Sequence, residues 1–228
     1  MAQAGGDNIA KTPGALARTA VERSHLYRFL ARVFGEEVSA EFLRRIKEAP
    51  FQQSLAAAAV ELEGDFMHRP EEALLEELAV EYARLFLGPG KHISPHASVH
   101  QGPDGGGLWG PPTIEVKRFI EAAGFEYKAE FHGMPDHISV ALEFMAEIAA
   151  QEARAWRRED FAKALNCLRY EKEFIGKHVA GWAAVFCAKV KGEAELSFYR
   201  EMAGLTAAFL ASEQPEIARR KRIAERKG

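Results

Sequence analysis

Apolar positions along the chain recur at helical spacing, and no run of β-branched residues alternates at the spacing of a half-buried strand. Leu26, Phe29, Leu30, Val33 and Phe34 follow at i, i+3, i+4, i+7 and i+8. Thr12-Pro13 supplies an N-cap with proline at the first helical position, and Gly35 ends the run. Ser39 caps a second helix that stops near Pro50, and a third is expected from about Phe51 to Phe66. Pro70 opens a fourth, which turns Leu74, Leu78, Tyr82, Leu85 and Phe86 inward and halts at Gly88-Pro89-Gly90. Thr113 starts a helix that ends at Gly124. Ile138, Leu142, Met145, Ile148 and Ala149 form a later stripe; Phe161, Leu165 and Leu168 form another, interrupted or bent before Phe174. Phe174, Trp182, Val185 and Phe186 continue it, and Leu196, Tyr199, Met202, Leu205, Phe209 and Leu210 mark the last long helix.

Two stretches break the period, 88–112 and 125–135. A connection as long as the first is uncommon inside a compact domain and is usually functional or disordered. The pattern predicts an all-α fold, a single globular bundle of roughly eight to ten helices with a long irregular loop around 88–112. Residues 12–212 read as the helical domain, 1–11 as a flexible N-terminus and 213–228 as a basic C-terminal helix or tail.

Composition narrows the function classes. With 228 residues and 47% apolar content, the chain can bury a core without disulfide staples. Cys167 and Cys187 sit in apolar helical surroundings, where thiols behave as small hydrophobes. The net charge of −3 gives no global basic field for nucleic acid. The basic run of Arg219, Arg220, Lys221, Arg222, Arg226 and Lys227 reads as a solvated helix end or frayed tail. Met1 to Lys11 lack the apolar core of a signal peptide, and no stretch reaches the ~18 consecutive apolar residues of a membrane span. A cytoplasmic protein without stable membrane insertion is expected.

The common enzyme signatures are absent or incomplete. His-Glu-x-x-His is absent; a di-iron bundle needs two Glu-x-x-His pairs, and only Glu22 to His25 has that spacing. Gly88-Pro89-Gly90-Lys91 continues to His92 rather than Ser or Thr, so it is no phosphate loop. His92, His96 and His100 recur every four residues, but Pro95 interrupts a helix there and no Asp or Cys joins them at ligand spacing. No catalytic residue, metal or cofactor is expected. Pro135-Asp136-His137-Ile138 is more specific. Asp136 stands where an N-cap belongs, able to accept from the amides of Ser139 or Val140. A cation at that end would oppose the helix dipole, so His137 is expected to be neutral and hydrogen-bonded. The pair suits recognition and is equally compatible with proton chemistry, though no nucleophile accompanies it.

These segments carry a family resemblance. Glu81-Tyr82-Ala83-Arg84-Leu85-Phe86-Leu87-Gly88-Pro89 resembles the Tyr-x-x-Leu-Phe-x-Gly segment of the TorD/DmsD/NarJ family of redox-enzyme maturation chaperones. Ser94-Pro95-His96-Ala97-Ser98-Val99-His100 resembles its proline-aromatic-x-Ser loop. Met134-Pro135-Asp136-His137-Ile138 with Leu142-Glu143-Phe144-Met145 is similar to its Pro-Asp-His-Ile…Leu-x-Phe-Met signature. Phe174, His178, Trp182 and Phe186 match a further stretch at fixed spacing. The resemblance spans about residues 20 to 212. It implies a cytoplasmic, non-enzymatic chaperone for a molybdopterin oxidoreductase. Such a chaperone binds the twin-arginine leader or N-terminal segment of the catalytic subunit and delays export until the cofactor is loaded.

A binder of a basic motif followed by an apolar run needs an apolar groove edged with carboxylates. The expected groove lies between the helix ending at Phe86, the 88–112 loop and the helix opening at Asp136. Tyr82, Leu85, Phe86 and Trp109 would offer its apolar surface. Asp136, with Glu81 or Glu143, would face the arginines, and His137 would fix the carboxylate or touch the peptide. His96, Ser98 and Pro135 complete the set. Core packing is the competing reading for Leu85 and Phe86, and the expected one for Phe174, Trp182 and Phe186; His178 reads as structural. The rival class is a metal-dependent hydrolase or redox protein using Asp136, His137 and the loop histidines. Long helices also leave room for a homodimer by helix swapping.

Overall fold

The computed structural model describes residues 12–63, 65–88, 91–101, 107–126 and 134–227. The N-terminal stretch 1–11 lies outside them. In chain order the helices are α1 (Pro13–Gly35), α2 (Ala40–Lys47), α3 (Ala49–Ala57), α4 (Glu71–Tyr82), α5 (Ala97–Gln101), α6 (Pro111–Ala122), α7 (Ile138–Arg157), α8 (Phe161–Phe174), α9 (Ala183–Glu193) and α10 (Ser197–Glu225). Wider π-helical turns continue α4 over Ala83–Leu87 and α8 over Ile175–Val179. Among the described residues there is no strand beyond one isolated antiparallel bridge, His96 with His137. None of the described helices is long and apolar enough to cross a membrane.

Local chemistry explains the boundaries. Thr12 Oγ1 accepts from the Ala15 amide at 3.2 Å, with Pro13 behind it, and Ser39 Oγ accepts from Phe42 at 3.2 Å. Asp160 Oδ1 caps α8 by accepting from Lys163 at 2.9 Å. Pro50 does not stop α2, which ends at Lys47; it sits in the first turn of α3, where its missing N–H costs nothing. The expectation of a helix to Phe66 fails at Ala57. There Ala59 adopts a left-handed φ of 55°, Ala59 donates to Ala56 O at 3.0 Å and Val60 to Leu55 O at 2.9 Å. That is a Schellman closure with alanine in the place glycine usually takes, clamped by the buried pair Leu55 and Val60. Glu159 closes α7 in the same way, with φ 54°.

The core is a closed ring of pairings: α1 on α7, the most extensive, then α7 on α8, α8 on α10 and α10 on α1. Helix α9 packs on the other flank of α10. Each fully buried Leu or Phe in this ring contributes roughly 1.5–3 kcal/mol. Helix α10 runs unbroken across residues 212 and 213 and through Pro215 to Glu225. The basic stretch is therefore mostly the end of that helix, and it is not uniformly solvated: Arg220 is 1% exposed, flanked on its face by buried Ile217 and Ala224. Cys167 and Cys187 are buried free thiols, both pushed up to about 12 chiefly by burial.

Candidate functional site

The turn before α7 is the hub. Ala97 N donates to Asp136 O at 3.0 Å and Ile138 N donates to Pro95 O at 2.8 Å, so the segment carrying His96 and Ser98 is stitched to the Pro135–His137 turn. Asp136 is not the N-cap of α7. Its Oδ2 accepts instead from the Ser98 amide at 2.9 Å, at the start of α5. The cap is His137, whose Nδ1 accepts from Ser139 N at 3.1 Å and lies 2.7 Å from Ser139 Oγ. An accepting Nδ1 leaves the ring proton on Nε2, the neutral tautomer that a helix N-terminus favours. Rings of His96 and His137 meet edge to face at 5.0 Å, and burial lowers the His96 pKa.

Loop 91–101 is anchored on its other side too. Ile93 N donates to Leu85 O at 2.7 Å, a carbonyl inside the π turn that ends α4. His100 Nε2 lies 2.8 Å from Ser94 O, and its ring stacks on Trp182 at 5.4 Å. The next turn of chain closes over α5: a methyl group placed on Gly110 would lie 3.7 Å from Ser98 Cβ, and Gly110 O accepts from Thr113 N at 3.0 Å. π turns favour functional sites because the extra residue re-aims side chains. Here one ends beneath this loop and the other carries His178 toward Phe119.

Within this frame three buried polar atoms have no hydrogen-bond partner in the described chain: Asp136 Oδ1, Ser98 Oγ and Thr113 Oγ1. Buried polar atoms are paired in the large majority of cases, which sets these three apart from the rest of the frame. Beside the framed residues in sequence stand exposed apolar side chains. Trp109 is 70% exposed, held at φ 67°, and Leu87 and Leu108 are also exposed. A bulky residue at positive φ is strained, and such strain tends to collect at ligand-contacting loops.

Several expected site residues are elsewhere. Tyr82, Leu85 and Phe86 are interior rather than groove surface. Tyr82 donates to Phe34 O at 3.1 Å, and burial pushes its phenol to about 12. Phe86 packs among Phe34, Tyr82, Phe186 and Tyr199. Glu81 is buried and committed: it pairs with Arg84 at 2.9 Å and accepts from Glu195 N at 2.7 Å. Glu143 is half-buried on α7, and Pro135 is buried in the turn. His178, Phe174, Trp182 and Phe186 are core, as expected. The described residues contain no group of three ligating side chains able to hold a metal. Thr113, expected to start a helix, lies in the first turn of α6, which opens at Pro111 with Gly110 as its cap.

The profile of the "Nitrate reductase delta subunit" family matches residues 48–188, most of the chain and all of this frame. The chain belongs to that family. With it come the redox-enzyme maturation chaperones of the TorD/DmsD/NarJ type, and the protein is a chaperone rather than an enzyme. Similar curated proteins carry the name "Chaperone protein TorD". The one from Vibrio cholerae El Tor Inaba N16961 is 26% identical over 207 residues, 85% of this chain and 90% of the relative. That from Shewanella loihica is 27% identical over 213 residues, covering 87% and 92%. The Photobacterium profundum protein is 30% identical over 140 residues, covering 61% and 62%. The hydrolase and redox readings of Asp136, His137 and the loop histidines are set aside by this membership.

Proposed function

We propose that this chaperone binds the N-terminal or twin-arginine leader segment of a molybdopterin oxidoreductase subunit in the cytoplasm, assists cofactor insertion and delays export. The observation carrying this reading is the exposed apolar pair Leu108 and Trp109, Trp109 held at φ 67°, in the stretch of chain after the segment whose Ser98 amide ties down Asp136. Asp136 is buried, and its Oδ1 has no partner among the described residues, so the leader must part this frame to reach it. A carboxylate oxygen is an acceptor matched to a guanidinium, and charge-assisted bonds of this kind are about twice as strong as neutral ones. Threonine and serine hydroxyls can serve the peptide backbone around it. Trp109, with Leu87 and Leu108, supplies surface for the apolar run that follows the arginines in a leader. The backbone bridge between His96 and His137 fixes the turn that carries Pro135 and Asp136. Glu143, half-buried on α7, is the second acidic side chain of the proposed site.

Isothermal titration with a twin-arginine leader peptide, against the same peptide with both arginines replaced by lysine, tests the reading. A dissociation constant near micromolar, about −8 kcal/mol, is expected for the first. Lysine lacks the planar fork and should bind at least tenfold more weakly. Equal affinity for both peptides, or none for either, overturns the proposal.

A further inference from the structure

Five charged side chains meet at the centre of the α1–α7–α8–α10 ring, away from the candidate site. Arg23 Nε donates to both oxygens of Glu213 at 2.9 and 2.8 Å, Nη1 to Glu152 Oε2 at 2.6 Å and Nη2 to Glu171 Oε2 at 2.6 Å. Tyr27 donates to Glu213 Oε2 at 2.8 Å, and Trp156 Nε1 donates to Glu152 Oε1 at 2.7 Å. Arg220 comes within 3.7 Å of Glu152 and 3.6 Å of Glu213, and reaches the half-exposed Glu216 at 3.9 Å. On α8 the neutral Cys167 thiol is the remaining titratable neighbour.

Three buried carboxylates face two buried guanidiniums, Arg23 and Arg220. Glu216 reaches solvent and does not alter that count. An uncompensated charge in such an interior is costly, and a carboxyl relieves it by taking a proton. Hydrogen bonds decide which one. Glu213 receives the fork of Arg23 and the Tyr27 hydroxyl; Glu152 receives Arg23, Trp156 and the approach of Arg220. Glu171 has one donor on Oε2, while its buried Oε1 has no partner among the described residues.

We propose that the bundle interior binds one proton, on Glu171 Oε1, and that its release is a pH-sensitive switch that loosens the helix ring. Burial pushes this carboxyl up to about 8, against the pull of Arg23. For Glu213, burial also acts upward, but Arg23, Arg220 and the Tyr27 hydroxyl outweigh it and hold that carboxyl below its ordinary value. A glutamate in the unfolded chain titrates near its ordinary 4.5. The Glu171 contribution is therefore fully present below that value and is lost as pH rises through about 8.

The test compares the full chain with Glu171→Gln, whose amide mimics the protonated acid and still accepts from Arg23. Thermal melts from pH 6 to 9 should show the wild-type Tm falling, with much of that slope abolished in the variant. Infrared difference spectra at pH 7 should show a neutral carboxylic-acid band in the wild type that vanishes in Glu171→Gln. An unchanged Tm slope in the variant overturns the proposal. So does absence of the neutral-acid band in the wild type, a measurement that stands even if the variant does not fold.

Discussion

The Ser98 amide donates to Oδ2 of Asp136 at 2.9 Å, across 38 residues of sequence. This bond ties the start of α5 to the turn before α7 while leaving the second carboxylate oxygen buried and unpaired. One side chain thus serves as a strut through one oxygen and, in the proposed site, as an acceptor through the other. The two roles can be separated by substitution.

Asp136→Asn can keep an acceptor toward Ser98 and removes the charge. Its Tm should stay close to wild type while leader affinity falls at least tenfold. Asp136→Ala loses both roles and should also cost about 1–3 kcal/mol of stability by orphaning the Ser98 amide. Urea melts and calorimetric titration on both variants distinguish the roles; equal loss of stability in the two would mean that Asp136 is only a strut.

Trp109 is exposed and strained, so its removal should not harm the fold. Trp109→Gly should leave stability unchanged or raise it by roughly 1 kcal/mol, since glycine accepts positive φ freely. Leader affinity should fall by about tenfold or more if the indole is an anchor. Retained affinity would remove Trp109 from the site.

Phe86 is expected to behave as a core residue. Phe86→Ala should destabilise the chain by about 3–5 kcal/mol, readable as a shift in the urea midpoint. A near-neutral effect on stability would instead restore Phe86 to the binding surface.

Acid should weaken the loop frame. Burial lowers the pKa values of His96 and His178, so the folded state holds fewer protons on them than the unfolded chain does. Their contribution is present above the ordinary imidazole value of 6.5 and is lost as pH falls below it. Between pH 7 and 5 the Tm of His178→Gln should rise relative to that of wild type, since Glu171 contributes equally to both. Parallel Tm profiles would mean that neither the burial nor the charge of His178 matters.

Much of the fold was legible because it rests on local rules. The 3.6-residue stripes located α1, α4, α7 and α10, and Thr12, Ser39 and Pro70 marked their starts or those of neighbours. The Ala57 stop was hidden, because alanine at position 59 gives no warning of a left-handed residue. At the site, order and spacing of motifs brought Ser98, Asp136 and His137 into one reading, yet they assigned the cap to the wrong neighbour. Asp136 and His137 both suit a helix start, and only the pairing with residues 95–98 draws the carboxylate away.

The charged centre follows the same helical stripes as the apolar core. Arg23 lies on the stripe of Ala20 and Tyr27, Glu152 on that of Ile148 and Trp156, Glu171 on that of Leu168, and Glu213 and Arg220 on that of Leu210 and Ile217. By itself the sequence determined the all-helical class, since periodicity and capping act within a few residues. Which charged groups meet, which oxygen stays unpaired and which aromatic rings turn outward depend on contacts between helices over a hundred residues apart. Those were decided only when the ring of four helices closed.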